Sequence, residues 1–255
     1  YENVDGIVSI THGTGCGINS KGLGWELLQA TIAGYSRHPN FGGLIVIGLG
    51  CEVNQVSGMA QSMDWASSDT FKMMTIQEVG GTRKTIQEGV EMVKQMLPIL
   101  NKNKREKSPA SELILGLECG GSDAYSGMTA NPALGSAVDL LVKNGGTGTL
   151  AETPEIFGAE HLLTRRAINE EVGQKIVNFI KWWQEDYLVK FEENREQLHQ
   201  DPSPGNKAGG LTTILEKSLG AVAKGGTTNL VDVYQFAESI KAKGFTFMNT
   251  PGYDV

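Results

Sequence analysis

Cysteine is scarce and odd in number. Cys16, Cys51 and Cys119 are the only three in the chain, too few for the disulfide framework that staples small secreted domains. Such thiols point to a reducing cytoplasm, where they are buried, metal-bound or reactive. No run approaches the roughly 18 apolar residues that a membrane span needs, and the first residues lack a charged-then-apolar secretory pattern. Positive charge is also short. The 22 Lys and Arg are outnumbered by 29 Asp and Glu, for a net charge of −7, which argues against a nucleic-acid partner because such domains carry basic patches. The one basic cluster, "NKNKREK" at 101–107, reads as a solvated linker.

Glycine, by contrast, is abundant, at 33 of 255 residues, roughly twice the usual share. Many of these glycines close apolar runs, where the backbone must turn tightly or approach something closely. "GIVSI" (6–10) reads as a strand running into "THGTGCG". Trp25, Leu28, Ile32 and Tyr35 have helical spacing. "GGLIVIGLG" (42–50) is a continuous apolar strand of the kind buried on both faces of a parallel sheet. Residues 82–100 predict a helix with Thr82 near its N-cap. Residues 101–112, charged and carrying Pro109, predict a boundary between units 1–107 and 108–255.

In the second unit "ELILGLECGG" predicts a strand. A helix follows over 131–146, closed by Asn144–Gly146, then a strand-like "GTLAE" and a long amphipathic helix over 170–198 with Trp182 and Trp183 inward. Residues 201–213 read as a loop, 216–234 as a helix or turn broken by Gly-Gly, and 248–255 as a turn. The alternation of strand and helix predicts an α/β fold, with parallel or mixed sheets, flanking helices and two sub-domains.

Three glycine-rich strand ends carry the chemistry-bearing residues: His12 with Cys16, Cys51 with Glu52, and Glu118 and Cys119 with Ser122 and Asp123. In open parallel sheets ligands bind beyond the carboxyl ends of the strands, so these loops are the candidate site. No CxxC, HExxH, GxGxxG or GxxxxGK[ST] spacing occurs. Ser122, Asp123, Ser126, Thr129 and Asn131 suit a polyhydroxylated or carboxylated ligand, because each hydroxyl needs a directed partner. The same residues suit a polar turn that caps the following helix. Lys217 fits a surface pair with Glu216, a base, or a carboxylate anchor. If Pro154 starts a helix, Glu155 and Glu160 lie in its first turns, and Glu152, in the loop before it, is better placed to reach a site.

The phrases "HGTGCG", "RHPNFGGLIVIGLGCE", "GLECGGSDAYSGMTANPALG", "LAETPEIFGAEHLLTRRA", "GNKAGGLTTILEKSLGAVAKGG" and "MNTPGYD" resemble the altronate and galactarate dehydratase family, which also includes sulfolactate sulfo-lyase. The resemblance covers essentially the whole chain. Family members carry an additional small N-terminal domain and continue beyond "TPGYD", so the chain reads as the middle domain and much of the C-terminal domain. The resemblance implies loss of water from a sugar acid to give a 2-keto-3-deoxy acid. It also implies dependence on Fe(II) or Mn(II), and a symmetric homodimer. From the residues themselves, His12 and Lys217 are the candidates for the acid/base roles that this chemistry needs. Gly121, Ser122, Asp123, Ser126, Thr129, Asn131 and Asn206 would hold substrate, and Glu52, Cys119 and Glu152 would hold metal. A cysteine-held iron–sulfur cluster is the alternative cofactor. Sulfite elimination and non-catalytic sugar-acid binding are the alternative functions.

Overall fold

A computed structural model describes residues 1–187 and 202–250. The chain divides into two compact units, Tyr1–Lys107 and Ser108–Val255. Both are α/β, with parallel strands and flanking helices. Among the described residues no helix is long and apolar enough to cross a membrane.

The first unit runs α1 (Leu23–Ser36), β1 (Leu44–Gly48), α2 (Val56–Ser62), β2 (Phe71–Thr75), α3 (Ile76–Val79) and α4 (Thr82–Leu100). Its sheet is a single parallel pair, with Leu44 opposite Phe71 and Gly48 opposite Thr75. Two expectations are corrected here. Segment 6–10 belongs to neither sheet, and Ile7 and Val8 are 73% and 71% exposed. β-Branched residues favour extended backbone, but a strand exists only where a neighbour accepts its ladder bonds. Strand β1 is likewise not buried on both faces, because only Gly48 is buried and Ile47 is exposed. A two-stranded sheet offers too little covering surface. Helix α4 begins at Thr82 as expected, next to Gly81 in the N-cap position, and the Thr85 hydroxyl donates to the Gly81 carbonyl.

The second unit carries β3 (Ile114–Leu117), α5 (Ala130–Lys143) and β4 (Thr147–Leu150), then a 3-10 turn at Thr153–Ile156. Next come α6 (His161–Thr164), α7 (Glu170–Trp182), α8 (Pro204–Ala208) and α9 (Ile214–Val222). A second 3-10 turn at Ala223–Gly225 leads to β5 (Leu230–Tyr234) and β6 (Gly244–Met248). The strands lie in the order β3-β4-β6-β5, all parallel. All four residues of the inner strand β4 are buried. Leu117, Val138, Leu150, Ile156, Ile176, Leu230, Phe245 and Phe247 form the core between sheet and helices.

The predicted helix over 170–198 is α-helical only as α7. Asn169 caps its start, a π-turn occupies Trp183–Tyr187, and residues 188–201 lie outside the described residues. Trp183 is buried beside Phe157, with ring centroids 5.7 Å apart, and Trp182 is half-buried. The predicted loop 201–213 contains α8, because the Ser203 hydroxyl accepts the Asn206 N–H and Pro204 presets the first helical residue. The segment 216–234 holds both α9 and β5; of the predicted turn 248–255, Met248 ends β6 and residues 251–255 lie outside the described residues.

Helix α5 packs on the loop after α9 through backbone contact at Gly135. A Cβ there would overlap the Ala223 carbonyl and come within 2.9 Å of the Gly226 nitrogen. Gly226 itself has φ 61°, in the left-handed region that glycine enters freely. Asp139 then fixes the loop, accepting the N–H groups of Thr227 and Thr228 and the Thr227 hydroxyl. These bonds hold its carboxyl below the usual range, against the opposing effect of burial. Gly135→Ala should therefore destabilise the unit by about 1–3 kcal/mol despite alanine's better helix propensity. Urea unfolding of the two proteins measures this.

Candidate functional site

Strands β3, β4 and β6 end side by side, with Leu117 paired to Leu150 and Leu150 to Phe247. The loops beyond them bring Cys119, Glu152 and Thr250 together. Glu152 is 1% exposed and adopts φ 68°, a left-handed conformation that is strained for a side chain with a Cβ. Neighbours over-determine that strain. The Glu152 N–H donates to Thr250 Oγ1 at 2.6 Å, and the Thr153 N–H donates to the Thr250 carbonyl at 3.0 Å. The Thr153 hydroxyl donates to Asn249 Oδ1 at 2.6 Å. The turn thus aims the Glu152 carboxylate at the end of β3, where the Cys119 N–H donates to Oε2 at 2.6 Å.

Two lysines reach the same place from α9 and the turn that follows it. Helix α9 starts at a Thr213 cap whose hydroxyl accepts the Glu216 N–H. Seven residues separate Lys217 and Lys224, about two helical turns, so both face one side. Lys217 Nζ lies 2.6 Å from Glu155 Oε1, and Lys224 Nζ lies 3.5 Å from Glu155 Oε2 and 3.9 Å from Glu152 Oε2. Glu155 and Lys224 are 2% and 3% exposed. Glu155 is in a helical first turn as expected, but it points into the interior at the lysines. Burial raises the Glu152 carboxyl to about 7; the Glu155 charge adds to the rise, while Lys224 and the Cys119 N–H oppose it. Glu152 is thus a buried carboxyl beside Lys224, and its neighbour Glu155 takes Lys217.

The polar turn after Cys119 largely bonds to itself. Asp123 Oδ1 accepts the N–H groups of Tyr125 and Ser126 at 2.8 and 2.7 Å, and the Ser126 hydroxyl donates to the Asp123 carbonyl. The Thr129 hydroxyl donates to the Tyr125 carbonyl, and the Asn131 amide to the Gly220 carbonyl of α9. For Asp123, Ser126 and Thr129 these are bonds within the turn, and none caps α5, whose N-cap residue Thr129 makes no side-chain cap bond; Asn131 ties the loop to the helix that carries Lys217. Nearer the carboxylate, Cys119 Sγ lies 2.9 Å from Ser122 Oγ. The Asn206 amide donates to the Ser122 carbonyl at 3.0 Å, and Gly121 is exposed between them.

The other two cysteine-bearing loops meet in the first unit. Cys16 Sγ is 3.3 Å from Cys51 Sγ, and both residues are exposed free thiols. The hydrogen bond to Cys51 is the largest cause raising the Cys16 thiol above its usual range. His12 Nδ1 is hydrogen-bonded to Thr14 Oγ1 at 2.8 Å on an exposed loop. The Glu52 carboxylate accepts the Leu49 and Gly50 N–H groups. Peroxide or oxidised glutathione should join Cys16 and Cys51, since the sulfurs need to approach by only about 1 Å. Mass spectrometry should show the loss of two hydrogens, restored by dithiothreitol and absent in Cys51→Ser.

The expected metal set is not assembled in either unit. Glu52 belongs to the first, Cys119 and Glu152 to the second. Glu152 is engaged by a backbone N–H and faces an ammonium group. Among the described residues no group of three or more His, Cys, Asp or Glu could hold a metal ion. The donor set does not fit the implied Fe(II) or Mn(II), nor do the three cysteines converge for a cluster within one unit.

Comparison with known proteins gives the lineage. The profile "D-galactarate dehydratase/Altronate hydrolase, second domain" matches residues 1–101, and "D-galactarate/Altronate dehydratase, C-terminal" matches residues 110–255. The chain belongs to the D-galactarate/altronate dehydratase family. It is 39% identical over 251 residues to an altronate dehydratase of Bacillus subtilis, covering 98% of this chain and 49% of that protein. It is 40% identical over 230 residues to the L-threo-forming galactarate dehydratase of Escherichia coli, covering 88% and 43% respectively. It is 30% identical over 251 residues to the (2R)-sulfolactate sulfo-lyase subunit beta of Chromohalobacter salexigens, covering 97% and 62%. The chain thus spans about half the length of the dehydratases it matches.

In this family member, sequence patterns leave out Glu155, Lys224, Asn249 and Thr250. The heptad spacing of Lys217 and Lys224 was the available signal, because on a helix it places both lysines over one neighbour.

Proposed function

We propose that this chain supplies the buried acid/base site of a sugar-acid hydro-lyase, which converts an aldonate or aldarate to a 2-keto-3-deoxy acid. The observation that carries the reading is the Glu152–Lys224–Glu155–Lys217 network at the carboxyl ends of β3, β4 and β6. The family relationship supports the substrate class.

Dehydration of a 2,3-dihydroxy acid breaks the Cα–H bond, forms an enediolate, and expels the β-hydroxyl as water once that hydroxyl takes up a proton, which the Glu152 carboxyl returns after removing it from Cα. The resulting enol takes up a proton to become the 2-keto product. Ionised Glu152 accepts the α-proton, as a carboxylate with a pKa near working pH does efficiently. Lys217 faces the substrate carboxylate, where its ammonium stabilises charge that grows in the transition state. Ser122 and Asn206 orient the hydroxyls. His12 remains the second acid/base candidate and has no step assigned here. No step passes through a metal, because the donors within each unit do not fit one. Metal dependence is checked by chelation followed by titration with Fe(II) and Mn(II). A homodimer is also part of this reading, and sedimentation tests it.

A panel of altronate, galactarate and sulfolactate, assayed for the keto product and for sulfite with the enzyme that contains this chain, tests the reading. Keto acid without sulfite is expected. Sulfite release assigns the sulfo-lyase branch, suggested by the relative of that name. Binding without product assigns a sugar-acid-binding role.

A further inference from the structure

The four buried charges are not equivalent. Side chains of Glu155 and Lys224 are 2% and 4% exposed, while that of Lys217 is 10% exposed. Lys217 is therefore the ammonium that reaches furthest toward a ligand. A lysine has four rotatable side-chain bonds and loses rotamer freedom when fixed. Glu155 Oε1, at 2.6 Å, is one contact that fixes it.

The anchor itself is rigid. Glu155 sits in the 3-10 turn with Pro154 at its start and the fully buried Ile156 behind it. That turn is pinned to the end of β6 by the Thr153 bonds to Asn249 and Thr250. Its second carboxylate oxygen takes Lys224, which comes from the loop locked by Asp139 and Gly226. One oxygen per ammonium leaves the carboxylate little rotational freedom.

We propose that Glu155 is a positioning residue that bridges Lys217 to Lys224 and so holds the Lys217 ammonium at the point where it meets substrate. Lys217's role in catalysis rests on the function proposed above, whereas the bridge rests on geometry alone. Two measurements keep these apart.

The first is pulse acetylation with acetic anhydride, read by mass spectrometry and normalised to the exposed Lys143. Glu155→Gln should modify Lys217 at least about tenfold faster than wild type with Lys143 unchanged, because the ammonium is released from its anchor. Glu155→Asp keeps the charge and shortens the arm by one methylene. It should also label faster, whereas simple charge neutralisation would leave it like wild type. It serves as the second variant if Glu155→Gln does not fold. Wild-type labelling rates at Lys217 in a folded variant overturn the proposal.

The second is a double-mutant cycle in the enzyme that contains this chain. Glu155→Gln should lower kcat about 100-fold with little change in KM. It should cause no further loss when Lys217→Met is already present. Additive losses overturn the proposal. Should the wild type turn over no sugar acid, the functional reading falls, and the labelling result still decides the bridge.

Discussion

Replacing Glu152 with Gln should abolish measurable dehydration while making the fold more stable at neutral pH. The two effects have one origin. Glutamine keeps the shape and can still accept the Cys119 N–H, but it cannot take a proton from carbon. Loss of a general base costs on the order of 10²–10⁴ in turnover. For stability, the sign follows from the raised carboxyl, at about 7 in the folded chain against 4.5 for the free side chain. Between those values the folded state holds a proton that the unfolded state has released. Wild-type stability therefore falls as pH rises from 4.5 to 7, by up to about 3 kcal/mol at 1.4 kcal/mol per unit. The variant lacks this slope. Urea titrations at pH 5 and pH 8 should show it gaining on wild type at the higher pH, and an equal difference at both would remove Glu152 as the titrating group. Wild-type kcat/KM should fall as pH drops below about 7.

Lys224→Ala should be the most destabilising single change in the second unit. Lys224 is 3% exposed and faces both Glu155 and Glu152. Removing one partner of a buried ion pair leaves an uncompensated charge and typically costs about 3–5 kcal/mol. Here two carboxylates lose their shared counter-charge. Part of that cost is avoided if Glu152 binds a proton, since Lys224 opposes its rise. The loss of stability should thus be larger at pH 8 than at pH 5, the reverse of the Glu152→Gln trend. Chemical denaturation at both values measures it. A pH-independent loss would mean that packing, rather than charge, sets the role of Lys224.

The sequence shows the second unit more clearly than the first, for a physical reason. Strand 114–117 runs into a glycine-rich turn, strand 147–150 follows one, and both join a four-stranded sheet, so local pattern and pairing agree. At 6–10 the pattern is equally apolar, yet no neighbour pairs with it, and extended propensity alone makes no strand. Strand β6, "GFTFM", lies behind the charged stretch "ESIKAKG" and is revealed by its pairing with β4. Within the site, Glu152 and Lys217 are legible because they flank glycines and a proline. Glu155 is not, because an acid in a helical first turn is ordinarily a solvated dipole partner. Only tertiary contact shows that its carboxylate is buried against α9. The polar run 122–131 stays ambiguous in sequence because the same side chains serve capping and binding. The structure gives most of them to bonds within the turn, and none to a side-chain cap of α5.

The tie between Glu152 and Thr250 spans 98 residues. Strand β4 lies inside the sheet, yet its partner β6 follows every other strand described in the unit. On the ribosome, β4 must wait with one edge open until Gly244–Met248 emerges, a non-local pairing that forms slowly. The left-handed turn at Glu152 has no Thr250 to hold it until then. The Glu152 turn therefore closes only once Thr250 has been made, and a nascent chain halted before residue 244 exposes the β4 edge, an aggregation hazard.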